Sequence, residues 1–111
     1  MVAWSSRNRP MRDLLERSPV VPVVVIDDAA KAVPVARALV DGGLPVIEVT
    51  MRTAAAPDAI AAIAADVPDA VVGAGTVLSG AQAKMIAAAG AQFIVSPGLH
   101  DDVVSASDAL S

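Results

Sequence analysis

A repeat restricts this chain's fold more than any other feature. Short runs rich in β-branched residues begin at positions 21, 45, 70 and 92, which lie 24, 25 and 22 residues apart, and cover residues 21–26, 45–50, 70–76 and 92–96. An alanine-rich amphipathic stretch follows each run, so the unit reads as one strand, one helix and two short loops. Strands that are apolar on both faces and joined by helical crossovers pair in parallel, with right-handed connections. The repeat therefore predicts an α/β chain of the (β/α)8 TIM-barrel class, with about the first four βα units present.

Local punctuation agrees with this. Gly42 and Gly43 follow a helical pattern over residues 33–40, and Gly90 follows one over 81–89, where a left-handed C-terminal cap favours glycine. Asp28, the pair Pro57 and Asp58, and Ser79 mark three helix starts. Pro34 predicts a loosened first turn or a kink. Ahead of the first strand, residues 11–17 read as a short amphipathic helix whose Leu14 and Leu15 cover the bottom of the sheet. Met11 is then a natural start, with residues 1–10 an N-terminal extension lacking fixed order and residues 11–111 forming the half barrel.

Composition narrows the function classes. At 111 residues and 55% hydrophobic, the chain holds one domain or a piece of one, and its only aromatic residues are Trp4 and Phe93. Core volume must come from many small aliphatic side chains. A net charge of −4 with scattered arginines provides no basic face for nucleic acid. Without cysteine there is no disulfide, thiolate metal site or cysteine nucleophile, and the single His100 cannot build a histidine metal cluster. The longest aliphatic run, residues 20–26, is far short of the ~20 residues that span a bilayer, and no signal-peptide pattern opens the sequence. The expectation is a soluble, cytoplasmic protein without membrane contact.

The most informative segment is Val46-Ile47-Glu48-Val49-Thr50-Met51-Arg52, a carboxylate inside an otherwise buried strand. With a period of two, Val46, Glu48 and Thr50 share one face and Ile47 and Val49 the other. If the second pair faces the helices, Glu48 faces the barrel interior near the strand's C-terminal end, where barrel active sites form. There a carboxylate among aliphatic groups has a raised pKa and can shuttle protons; the alternative is that Glu48 merely pairs with Arg52. Four extended residues span about 13 Å, which frees Arg52 for an anionic substrate unless the chain turns after Thr50. Gly73-Ala74-Gly75-Thr76-Val77 reads as a strand end that lets a ligand approach the backbone, or as a tight turn. Ser96-Pro97-Gly98-Leu99 is a rigid turn, structural or at the catalytic rim. His100 beside it reads as a surface side chain.

Taken together, Val-Val-Pro-Val, Glu-Val-Thr-Met-Arg-Thr, Val-Gly-Ala-Gly-Thr-Val-Leu and Gly-Ala-Gln-Phe-Ile-Val-Ser-Pro-Gly-Leu resemble the N-terminal half of the 2-keto-3-deoxy-6-phosphogluconate (KDPG) aldolase family, over residues 11–99. The resemblance implies a class I carbon–carbon lyase that releases pyruvate and glyceraldehyde 3-phosphate through a lysine Schiff base, with no metal or organic cofactor. It implies that Glu48 is the general acid and base, that Arg52 binds the substrate carboxylate, and that Thr76 and Pro97 line the pyruvate pocket. The family's Schiff-base lysine belongs to a later strand, and residues 1–111 hold no match to it. Lys31 and Lys84 lie elsewhere and read as solvated surface charges, so this chain is expected to be inactive alone. The phosphate site of such barrels belongs to later strands as well. Expected partners are a keto-acid substrate with a pyruvate moiety and either a homo-oligomer, a trimer in full-length relatives, or a complementing C-terminal half. A different reading is a non-catalytic half-barrel that acts as a scaffold through its unpaired sheet edges. A phosphate-sugar epimerase would require a cluster of histidines and carboxylates that the sequence lacks.

Overall fold

A computed structural model of the chain describes residues 9–110. The first eight residues of the expected extension lie outside these. The helix expected from Met11 begins two residues earlier, as α1 (Arg9–Arg17). Leu14 is half-buried on it and Leu15 is 37% exposed, and neither joins the apolar core cluster.

The repeat then appears as β1 (Val23–Val24), a 3₁₀ turn (Ala29–Lys31) running into α2 (Ala32–Asp41), β2 (Val46–Thr50), α3 (Ala56–Asp66), β3 (Val71–Gly75) and α4 (Gly80–Ala89). The strands pair in parallel in the order β1-β2-β3. Their register sets Val23 opposite Glu48, Glu48 opposite Gly73 and Thr50 opposite Gly75. Two expectations shrink. The first strand is two residues long, and the fourth is a single parallel bridge, Ala74 to Ile94, flanked by hydrogen bonds from Gln92 N to Val72 O (2.8 Å) and Val95 N to Ala74 O (2.8 Å). Among the described residues each of these outer segments has a strand neighbour on one side only, so its ladder has half the hydrogen bonds of an inner strand.

Helix ends follow the chemistry of their residues. Asp28 accepts from Ala30 N (3.0 Å) at the 3₁₀ turn, and Ser79 accepts from Gln82 N (3.2 Å) at the start of α4. Gly90 closes α4 with φ 111°, while after α2 it is Gly43 (φ 89°), not Gly42 (φ −81°), that is left-handed. Pro34 sits in the first turn of α2, where its missing N–H has no partner to lose.

The helices form one layer, α2 on α3, α3 on α4, and α4 on a final helix α5 (Asp101–Leu110), which the repeat did not predict. Ile47 and Val49 from β2, and Val72 and Ala74 from β3, are buried in one cluster with Ala36, Ala59, Ile60, Ile63, Ala83 and Ile86 from the helices. Alanines let the helices close on the sheet, and each buried Ile or Val contributes about 1.5–3 kcal/mol relative to exposure. Val46 and Phe93 are buried outside that cluster, on the opposite, inner face of the sheet.

α4 and α5 are joined by a contact that neither makes alone. The Asp102 carboxylate, in the first turn of α5, accepts from Gly80 N (2.8 Å) at the first residue of α4. A side chain at 80 would meet Asp102 O at 3.0 Å, so the approach suits glycine. This N–H holds the Asp102 carboxyl below the usual carboxylate range, with further help from the Val103 N–H and the charge of His100. Since the folded value is depressed, the contact contributes stability above the unfolded value and loses it as pH falls through the folded one. Asp102→Ala is therefore expected to lower the urea midpoint at neutral pH, with the gap narrowing in acid as the carboxylate takes up its proton. An equal gap at both pH values would show that the carboxylate charge is not responsible.

Candidate active site

Parallel strands place their C-terminal ends at one edge of a sheet, and here Arg52, Thr76 and Pro97 each follow such an end. Glu48 stands two residues inside that edge. Because Ile47 and Val49 enter the helix-side cluster, alternation turns Glu48 to the inner face, as one branch of the sequence reading required.

The carboxyl of Glu48 leans diagonally from its register partner Gly73 toward Gly75. A Cβ built on Gly75 would clash with Glu48 Oε2 and lie 2.6 Å from Cδ and 2.9 Å from Cγ. The second glycine of Gly73-Ala74-Gly75 thus makes room for a side chain of this chain itself, a use that neither sequence reading of that segment, ligand approach or tight turn, had included. Burial raises the Glu48 pKa above the ordinary glutamate range, and nearby positive charge, that of Arg52 included, opposes the shift without cancelling it.

Arg52 lies exposed in the loop between β2 and α3. Two hydrogen bonds anchor that loop. Met51 N donates to Gly75 O (2.8 Å), and Thr53 Oγ1 donates to Ile26 O (2.5 Å), tying it to the end of the β1 segment 27 residues earlier. The guanidinium is therefore carried on a backbone fixed at both sides, with its side chain open to solvent.

Thr76 departs from its local preference. Its φ is 57°, the one positive value at a non-glycine among the described residues, and for a β-branched residue the left-handed region costs on the order of 1–2 kcal/mol. Val77 N donates to Val95 O (3.2 Å) just beyond it and Gly75 O accepts from Met51 just before it, so both flanks are held while Thr76 turns. Strain of this kind gathers at functional sites. Thr50, 1% exposed and on the face of Glu48, has a buried hydroxyl without a hydrogen-bond partner. The period-two pattern had already assigned it that face, but nothing in the sequence marked its hydroxyl as orphaned.

Ser96 is buried and Pro97 exposed in the turn after the Ala74–Ile94 bridge, and His100 is exposed as expected. Lys31, in the turn after β1, and Lys84, on α4, are both exposed. The geometry brings Glu48, Thr50, Arg52, Thr76 and Pro97 to one edge of the sheet, and it leaves both lysines facing solvent.

Residues 11–111 match the family model for KDPG and KHG aldolases. The chain is 54% identical over 93 residues to the KHG/KDPG aldolase of Escherichia coli K12, covering 84% of this chain and 44% of that protein. It is 53% identical over 95 residues to the 2-dehydro-3-deoxy-phosphogluconate aldolase of Pseudoalteromonas atlantica, covering 86% and 44%. Among solved structures, it superposes on the 2-keto-3-deoxy-6-phosphogluconate aldolase of Zymomonas mobilis ZM4 with a TM-score of 0.85 at 48% identity, covering 91% of this chain and 48% of that one. A KDPG aldolase from Legionella pneumophila, solved with pyruvate captured as a covalent carbinolamine intermediate, gives 0.81 at 41% identity, covering 86% and 46%. The chain thus spans less than half the length of the curated relatives it matches. On these matches, and on an α/β fold of parallel strands shared with solved barrels of that family, this chain belongs to the KDPG and KHG aldolase family.

Proposed function

We propose that these residues form the proton-transferring and carboxylate-binding part of a class I aldolase that cleaves 2-keto-3-deoxy-6-phosphogluconate to pyruvate and glyceraldehyde 3-phosphate. The observation that carries this reading is a half-buried glutamate on the inner face, at the C-terminal end of β2, with its carboxyl biased toward the protonated form. The amine that attacks the ketone is a lysine outside residues 1–111. Attack gives a carbinolamine; Glu48 protonates its hydroxyl, which leaves as water, and the Schiff base forms. Removal of the C4 hydroxyl proton then sends the C3–C4 bonding electrons into the iminium, releasing the aldehyde and leaving an enamine. Protonation at C3 and hydrolysis return pyruvate and the free amine. Arg52 faces the substrate carboxylate, Thr76 offers its hydroxyl, and Pro97 bounds the pyruvate pocket. The setting is cytoplasmic, in keeping with a sugar-acid substrate and a cysteine-free chain.

A second reading, assembly without catalysis, draws on exposed valines along the β1 edge, among them Val23 (59%) and Val25 (51%). It is favoured if the chain sediments as a defined oligomer and gains no activity from a complementing half.

Supplying the C-terminal half of a close relative is expected to produce pyruvate release from KDPG that neither half gives alone. Glu48→Gln in that assembly is expected to lower turnover by about 10²-fold or more. Undiminished turnover would remove Glu48 from the mechanism. A borohydride-stable pyruvate adduct on Lys31 or Lys84 of this chain alone would overturn the assignment of the amine to a later segment.

Gly75→Ala in the same assembly is expected to cut turnover at least tenfold while the urea midpoint moves little, because the three atoms the added methyl meets nearest, Cγ, Cδ and Oε2, all belong to the flexible Glu48 side chain. For Glu48 the folded pKa is raised, so stability is fully present below the unfolded value and declines as pH rises through the folded one. Glu48→Gln should accordingly be the more stable protein at neutral pH, with its advantage vanishing in acid; a penalty at neutral pH would contradict the burial argument.

A further inference from the structure

The two glycines on the inner face of β3 leave two neighbouring positions without a side chain, about 6.6 Å apart along the strand. Gly75 accommodates the Glu48 carboxyl. The position at Gly73 is filled as well, since a Cβ there would lie 2.5 Å from three carbons of the Phe93 ring, Cδ2, Cε1 and Cε2. The ring therefore lies across the Gly73 backbone. Gly73 is also the register partner of Glu48, so the glutamate side chain runs from beside this ring toward Gly75.

We propose that Phe93 is the positioning residue for Glu48: its ring, seated on Gly73, walls the carboxyl off from the barrel interior and holds it against Gly75 at the rim. This inference rests on reading Glu48 as the proton-transferring group.

Three observations support it. Phe93 is the only phenylalanine of 111 residues in a chain otherwise built from small aliphatic side chains, and it is 7% exposed outside the helix-side cluster. Its inward direction is fixed by backbone, because Phe93 O accepts from Ala74 N (3.0 Å) and the adjacent Ile94, bridged to Ala74, packs on the helix side. The groups facing Glu48 from the neighbouring strands, Val23, Gly73, Gly75 and Phe93, carry no charge, and Arg52 on the following loop is a cation whose effect opposes protonation. An apolar wall is what remains to favour the neutral acid. Gly73 lies on the N-terminal side of Gly75, so the ring closes the inner side of the carboxyl and leaves the rim side open to substrate. Phe93 carries no transferable proton and acts only through Glu48.

The test is a carbon-13 titration of the Glu48 side-chain carboxyl in this chain, assigned by loss of the signal in Glu48→Gln. Wild type is expected to titrate above an ordinary glutamate, and Phe93→Ala to bring the midpoint down by about half a unit or more as water enters beside the carboxyl. Phe93→Leu, which keeps most of the core volume, and Gly73→Ala, which forces the ring aside, are expected to move it in the same direction and replace Phe93→Ala should that variant not fold. A folded variant with an unchanged midpoint overturns the role of Phe93 and leaves the reading of Glu48 standing. A wild-type midpoint at the ordinary glutamate value overturns that reading itself.

Discussion

The register between β2 and β3 decides which way Glu48 points, and the helix-side core is what enforces it. Ile47 and Val49 are buried in the helix-side cluster, with α3 packed on their strand, beside Val72 and Ala74. A slip of one residue would turn that apolar pair inward and drive the glutamate into the helix layer. Losing two buried aliphatic side chains costs about 3–6 kcal/mol by transfer alone, before the penalty of an unpaired carboxylate is added. The position of the carboxyl is thus set by its neighbours in sequence, whose packing on the far face holds it in place.

That core also supports features that are unfavourable locally. Thr76 holds a left-handed backbone, Thr50 keeps a buried hydroxyl without a partner, and Glu48 sits where its ionised form is disfavoured. All three lie at the C-terminal ends of β2 and β3, whereas the opposite ends of these strands carry ordinary contacts such as Val71 N to Pro45 O (2.8 Å). Strain and poor solvation confined to one edge of a sheet mark that edge as the candidate site.

Much of this was legible in the residues, and the parts that were not share a cause. The repeat spacing gave strand order, alternation gave the face of Glu48, and Asp28, Ser79 and Gly90 announced helix ends, because each of these rests on a short-range rule. The strand at 21–26 shrank to Val23–Val24 and the strand at 92–96 to one bridge, since strand length depends on neighbours that a local pattern does not report. α5 has an acidic first turn and a buried pair, Val103 and Ala106, yet it falls after the last strand of the repeat and so escaped the reading. Thr76 gave no warning of its positive φ, because threonine is not a residue that turns of that kind select. The use of Gly73 and Gly75 was hidden for a similar reason: their missing side chains are occupied by groups from strands 20 to 27 residues away in sequence.

The inner face is unevenly covered, and this bears on how the glutamate behaves. Val46, Thr50 and Phe93 are buried on the β2–β3 side, while Val23 and Val25 on the β1 side are more than half exposed, with Glu48 between the two. Its carboxyl is therefore dry on one flank and wet on the other. Packing of further strands against β1 would remove water from the wet flank, raise the carboxyl pKa further, and move it toward the range in which one group both gives and takes a proton. Arg52, exposed on the following loop, opposes that shift without cancelling it, so burial remains the dominant influence on the carboxyl.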